Sequence, residues 1–174
     1  MMLGWILVGM VIHVADMPFS EQYVHQGTRF VLSATSIKET TFLKVDVYVV
    51  AHYVETPDAS RDRIVTAAEP QLYVLTFLRD VDRKKLAKAW LEDLDRYCVG
   101  DCAPLRAPAR EIAERLPDVR RGQRVIYAVR PDEVEFLVNG RLIGTLPGPV
   151  AARTVVAAFV GPKAPERLRR DLLR

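Results

Sequence analysis

The strongest constraint on the fold is the segment Phe42–Val54 (FLKVDVYVVAHYV), whose side chains alternate with a period of two. Every second residue from Leu43 to Tyr53 is apolar, whereas the intervening positions mix apolar residues with polar ones such as Tyr48 and His52. Because successive side chains of a strand point to opposite faces, the pattern predicts a strand with one core face and one mixed face. The mixed face is either a sheet surface in contact with solvent or the lining of a cleft.

Other periodic segments predict the remaining elements. Strands are predicted at 28–35, 72–78, 124–129, 133–138 and 141–146, the last two joined by Asn139-Gly140, a strong hairpin signal. Helices are predicted at 80–97, from Pro108, at 149–160 and at 165–174. In the first of these helices Leu86, Trp90 and Leu94 recur every four residues, which makes Trp90 a core anchor. Strands and helices in this order indicate an α+β fold with a mainly antiparallel sheet.

Composition excludes several functional classes. The 174 residues fit one domain, and a net charge of +3 does not suggest a nucleic-acid-binding protein. The chain has no Walker loop, GxGxxG, GxSxG or HExxH motif, so neither a nucleotide nor a metal cofactor is expected. Asp93 and its acidic neighbours on the long helix are predicted to lie at the helix cap or on its solvated face.

The first segment, Met1–Val14, is almost wholly apolar but too short to span a bilayer. Its length and the small residue Ala15 suit a secretory signal, whereas the missing basic residue before it and the bulky His13 do not. The alternative is an apolar N-terminal strand or helix that packs on the core. We expect residues 1–16 to be a candidate signal peptide and 17–174 to be a single domain.

This interpretation predicts a periplasmic or otherwise exported protein, with a cytoplasmic location as the alternative. Membrane association is not expected beyond the N-terminal segment. Cys98 and Cys102 (YCVGDC) are separated by a turn that Gly100 permits, and export would favour a structural disulfide between them. Redox motifs usually have two intervening residues, and a metal site would need further ligands nearby. Two reduced, partly buried thiols are the alternative.

Four segments in order resemble the chalcone isomerase-like family, and most closely its bacterial members, many of which look exported. They are FSEQYVHQGTRFVLSATSIKETTFLKVDVYVVAHYV, LTFLRDVDRKKLAKAW, RGQRVIYAVRPDEVEFLVNGRLIGTLPG and VAAFVGPKAPERLRRDLL. The resemblance implies an open-faced β-sandwich, in which a large antiparallel sheet carries a layer of helices on one face. That architecture agrees with the element order predicted from the periodicities.

The resemblance also implies candidate ligand-binding residues. In the plant isomerases a strand arginine stabilises the reacting phenolate and a threonine on the next strand joins a network around the ketone. In the related fatty-acid-binding members an arginine and a tyrosine hold a carboxylate. Here Lys38 lies near the arginine position, with Ser36 or Thr35 as alternatives, and Tyr48 takes the position of the threonine or tyrosine.

Lys38 in place of the arginine and Tyr48 in place of the threonine of the plant isomerases both argue against flavanone-forming chemistry. Lysine supplies charge without the planar fork of arginine, and the tyrosine ring fills volume that a flat substrate would need. We therefore predict a non-catalytic protein that binds a small amphipathic acid, such as a fatty acid, on Lys38 and Tyr48. One alternative is an isomerase (intramolecular lyase) of chalcone isomerase type. The other is a structural or interaction protein whose pocket is filled by side chains, and a pocket of a few hundred Å³ would argue against it.

Overall fold

The computed structural model describes residues 10–40 and 45–174, which form nine strands and five helices. The strands are β1 (Val11–Val14), β2 (Met17–Ser20), β3 (Gln22–His25), β4 (Thr28–Thr40), β5 (Val45–Val54), β6 (Gln71–Phe77), β7 (Arg124–Arg130), β8 (Glu133–Val138) and β9 (Arg141–Pro147). The helices are α1 (Arg61–Val65), α2 (Arg83–Arg96), α3 (Arg106–Arg115), α4 (Pro149–Val160) and α5 (Glu166–Leu172).

Strands β3 to β9 form one antiparallel seven-stranded sheet in which the spatial order follows the chain order. Strand β6 lies fourth in this order and is buried along its whole length. A buried central strand accepts apolar residues on both faces, which explains the continuous apolar run that predicted it. The α+β class and the open-faced sandwich are confirmed.

Local sequence signals fix several element ends. At the turn between β8 and β9, Asn139 and Gly140 both have positive φ (50° and 79°), as the favoured two-residue hairpin turn requires. Helix α2 begins after Asp82, whose carboxylate accepts a hydrogen bond from the backbone N–H of Lys85 at 2.9 Å. Helix α3 begins at Arg106, two residues before the predicted Pro108, because a 3₁₀ turn at Ala103–Leu105 leads into it.

The two faces of the sheet are covered differently. Helices α2 to α5 pack on one face and enclose the larger hydrophobic core, which contains Val50 and Trp90. The antiparallel pair β1–β2 covers part of the other face, where Met17 and Phe19 pack on a second core with Val49 and Ala51. The mixed face of β5 is therefore turned towards the helices and not towards solvent.

The structure contains elements that the periodicities did not predict. Strands β1 to β3 are only four residues long, and α1 only five, too short for a period to be recognised. Strand β4 continues to Thr40, beyond its predicted end. Residues 1–9 of the N-terminal segment and Phe42–Lys44 of the predicted strand lie outside the described residues. Among the described helices, none is long and apolar enough to cross a membrane.

Candidate functional site

Lys38 and Tyr48 are brought together by strand register. They are direct partners on the antiparallel strands β4 and β5, so their side chains share one face of the sheet. Tyr48 is paired in turn with Phe77 on β6, and the two rings lie 5.6 Å apart. Both Lys38 and Tyr48 are half-buried on the helix-covered face.

Helices complete a small cavity over this pair. Helix α2 contributes Trp90, Asp93 and Leu94, with Tyr97 just after its end. The remaining lining residues come from β7 and α4, and they are Tyr127, Thr154, Val155, Ala158 and Phe159. The open space inside is about 40 Å³, enough for water but well below the roughly 300 Å³ at which small-molecule pockets begin.

Burial and the nearby opposite charge shift the pKa values of Lys38 and Asp93, which both line the cavity, in opposite directions. Burial lowers the pKa of the Lys38 ammonium, and the nearby Asp93 carboxylate partly offsets that shift. Burial raises the pKa of Asp93, against the pull of Lys38 and Arg96. Because Asp93 is exposed at the cavity mouth, solvent screening limits this second shift. Burial also raises the pKa of the Tyr48 phenol far above its usual value, so Tyr48 is a hydrogen-bond donor at neutral pH.

The geometry distinguishes Lys38 from its two sequence alternatives. Ser36 is buried, and its hydroxyl donates to the carboxylate of Asp171 on α5 at 2.9 Å. Thr35 is paired with Ala51, on the strand positions that face away from the helices. Of these three residues only Lys38 lines the cavity with Tyr48. Its function as a ligand-binding residue is taken up as a proposal below.

A disulfide joins Cys98 and Cys102 immediately after α2. Gly100, between them, has φ of 103°, a conformation that glycine adopts readily. The loop is attached to the cavity wall through Thr154. The Thr154 hydroxyl accepts a hydrogen bond from the backbone N–H of Val99 at 3.0 Å and lies 3.5 Å from the Cys102 sulfur. The disulfide therefore closes a loop that fixes the end of α2 against α4.

We expect the native protein, isolated without reductant, to show no reactive thiol. Cys98 and Cys102 are the two cysteines of the chain, and the structure pairs them. Thiol labelling of protein isolated without reductant should therefore give no adduct. Labelling after reduction and denaturation should give two adducts and serves as the control. Two titratable thiols in the native protein would contradict the prediction.

Sequence reasoning missed most of the cavity wall. Asp93 is on the exposed side of α2, as predicted, yet it also borders the cavity. The sequence predicts Tyr127 in a strand but gives no sign of a function, because its contacts with Trp90 and Phe159 depend on tertiary packing. Within residues 10–40 and 45–174, no group of three or more acidic, histidine or cysteine side chains could hold a metal ion.

Comparison with known proteins agrees with this architecture. A family model described as chalcone isomerase-like matches residues 11–174. The crystal structure of a fatty-acid binding protein from Arabidopsis thaliana superposes with a TM-score of 0.75 at 13% identity, covering 94% of this chain and 96% of that one. No curated protein sequence matches. Since the family model spans nearly the whole chain, the protein belongs to the chalcone isomerase-like family.

Proposed function

We propose that the protein binds a small amphipathic acid, such as a fatty acid, without transforming it. The observation that carries this proposal is the pairing of Lys38 with Tyr48 at an aromatic cavity. The likeness in fold to a fatty-acid binding protein supports the same function. A carboxylate placed between the two side chains would accept hydrogen bonds from the Lys38 ammonium and the Tyr48 hydroxyl.

The rest of the cavity suits the apolar part of such a ligand. Trp90, Tyr127 and Phe159 form a continuous aromatic wall, with ring centroids of neighbouring pairs 5.8 and 5.5 Å apart. Contact of these rings with the carbons next to the carboxylate would contribute apolar binding free energy, while the polar pair would orient the ligand.

The small volume of the cavity favours a second candidate function, that of a structural or interaction protein with a filled pocket. At about 40 Å³ the space must enlarge before an alkyl chain can enter. The two candidates differ in one measurable respect, because only the first predicts saturable binding of a fatty acid.

We expect the protein to bind dodecanoate with a measurable Kd in isothermal titration calorimetry. Lys38→Ala should weaken binding about tenfold or more, since hydrogen bonds to charged groups contribute about 1.5–3 kcal/mol. Tyr48→Phe, which keeps the ring and removes the hydroxyl, should weaken binding severalfold. Lys88→Ala removes an exposed lysine from α2 and is the matched control.

Replacing Asp93 should strengthen the binding of dodecanoate in the same titration, whereas replacing Lys38 or Tyr48 should weaken it. Its negative charge beside Lys38 disfavours a second carboxylate, so Asp93→Asn should tighten binding at neutral pH. Absence of saturable binding by the unmodified protein would reject fatty-acid binding and favour the filled-pocket function. Equal affinities for all four variants would show that the acid binds elsewhere than at Lys38 and Tyr48.

We expect no acceleration of chalcone cyclisation above the uncatalysed rate. That reaction needs a phenolate held in a fixed direction and space for a flat substrate beside it. Lys38 provides charge without a fixed fork, and the Tyr48 ring, packed on Phe77, occupies the space next to it. The assay is the decay of chalcone absorbance with and without protein at matched pH. A saturable acceleration that disappears in both Tyr48→Phe and Lys38→Ala would support the isomerase alternative.

We further propose that the protein belongs to the bacterial, exported branch of the family, with residues 1–16 as its signal peptide. Cleavage after residue 16 would remove strand β1 (Val11–Val14) and leave β2 without the partner that the structure gives it. The Cys98–Cys102 disulfide is compatible with an oxidising compartment. N-terminal sequencing of the protein recovered from the periplasm and from the cytoplasm of the producing cells tests this proposal, and an uncleaved cytoplasmic protein would contradict it.

A further inference from the structure

We propose that the alkyl chain of the ligand leaves the cavity past Leu94 and lies in a groove between α2 and α3, so that Leu94 controls the chain length that is bound. This inference rests on the proposed binding of an amphipathic acid. It adds the groove as a second compartment for the ligand and Leu94 as the gate between the two compartments, and it explains how chain length could be selected.

Leu94 lies between two spaces. On one side it lines the cavity above Lys38 and Tyr48. On the other side it lines an open groove of about 400 Å³, together with Leu91, Asp95, Arg106 and Arg110. The Leu94 side chain itself is only 5% exposed, so it forms a partition between the two spaces.

The groove continues along the same two helices. A further space of about 190 Å³ shares Leu91 and Arg110 with the first, and is also bordered by Ala87, Ala113 and Glu114. Leu91 and Leu94 of α2 and the small residues Ala87 and Ala113 form the apolar part of the groove, whereas Asp95, Arg106, Arg110 and Glu114 are charged. The aliphatic stem of Arg110 at the rim can cover an alkyl chain while its guanidinium stays in water.

The volumes indicate why a second compartment is needed. The inner cavity has about 40 Å³ and can hold only the carboxylate end of a ligand. The groove alone is within the range of about 300–1,000 Å³ that is typical of small-molecule sites. A ligand anchored on Lys38 and Tyr48 can therefore bury a longer chain by entering the groove, without any enlargement of the inner cavity.

Leu94 lacks the hydrogen bond, ring contacts and disulfide that restrain its neighbours at the end of α2. The neighbouring Trp90 is held by a hydrogen bond from its indole N–H to the carbonyl of Ala109 at 3.1 Å and by ring contacts with Phe136 and Tyr127. Tyr97 directly precedes the disulfide loop that is attached to α4. Leu94 has an aliphatic side chain whose rotamers can change without loss of a hydrogen bond.

The experiment compares hexanoate, dodecanoate and hexadecanoate by calorimetry. Leu91→Trp fills the groove from a half-buried position on α2 and leaves the inner cavity untouched. We expect it to weaken dodecanoate and hexadecanoate at least tenfold and to change hexanoate less than twofold. Val24→Trp, at a position 64% exposed on β3, is the matched control and should change none of the three affinities.

Leu94→Ala opens the partition and should strengthen hexadecanoate more than hexanoate. Because this change empties a buried position, circular dichroism must first show that the variant is folded. Leu91→Trp provides the decisive comparison even where Leu94→Ala does not fold.

Two outcomes would overturn the inference. One is an equal effect of Leu91→Trp on all chain lengths. The other is uniform weakening of all three acids by Arg106→Ala and Arg110→Ala, which would place the carboxylate in the groove. In the first outcome, the proposed function still stands if Lys38→Ala weakens the binding of all three acids equally. Failure of the gate can therefore be distinguished from failure of the binding site.

Discussion

Replacing Trp90 by alanine is expected to lower the free energy of unfolding by about 3–5 kcal/mol, the range found when large aromatic side chains are removed from cores. Trp90 is 7% exposed, and its ring lies 4.8 Å from that of Phe136 and 5.8 Å from that of Tyr127. Its indole N–H also joins α2 to the backbone of α3 through Ala109. Truncation therefore empties the place where both helices meet the sheet.

Urea denaturation followed by circular dichroism measures this loss without depending on tryptophan fluorescence. Trp90→Phe keeps an aromatic ring but removes the hydrogen bond, so it should cost clearly less than alanine does. Glu92→Ala, on the exposed side of the same helix, removes only a surface ion pair with Lys88 and should cost less than about 0.5 kcal/mol. A loss below about 1 kcal/mol for Trp90→Ala would show that Trp90 is peripheral.

The spacing of apolar residues was sufficient to predict the helices and strands that bury one regular row of side chains. The alternation along β5, the spacing of Leu86, Trp90 and Leu94 on α2, and the turn at Asn139-Gly140 each predicted an element that the structure contains. An N-terminal strand was only an alternative to a signal peptide, and the pairing of the short strands β1 and β2 was not predicted, because it depends on contacts with the sheet. One such contact is the hydrogen bond from the Tyr53 hydroxyl to the Ser20 carbonyl at 2.9 Å.

Of the residues that line the candidate site, the sequence predicted only Lys38 and Tyr48, which lie on the sheet. Lys38 and Tyr48 were found through a family resemblance, and their direct pairing follows from a register that no local pattern reveals. A register shift between Lys38 and Glu39 interrupts the alternation of β4 at this point. The helical half, with Asp93 and Thr154, depends on how α2 and α4 dock on the sheet, and this is a tertiary property.

A second large effect is expected from His52, which should make the protein less stable in mild acid. His52 is fully buried, and burial lowers its pKa to about 4, although Gln71 and Glu69 pull in the opposite direction. Gln71 donates its amide hydrogens to the carbonyls of Ile64 and Glu69, so its oxygen accepts from His52 Nε2–H at 2.9 Å. The imidazole Nδ1 has no hydrogen-bond partner among the described residues. Protonation would thus place an unpaired N–H and a charge in the core.

The direction of the pH effect follows from the two protonation equilibria. As pH falls below about 6.5, the unfolded chain takes up a proton on His52, while the folded protein does so only near pH 4. The unfolded state binds more protons in this window, so His52 should remove about 3 kcal/mol of stability between pH 7 and pH 4. His52→Gln can keep a donor to Gln71 but does not titrate, so its stability should fall by about 3 kcal/mol less over the same range. Urea titrations of both proteins at half-unit pH intervals measure the difference, and parallel curves would show that His52 does not resist protonation in the folded state.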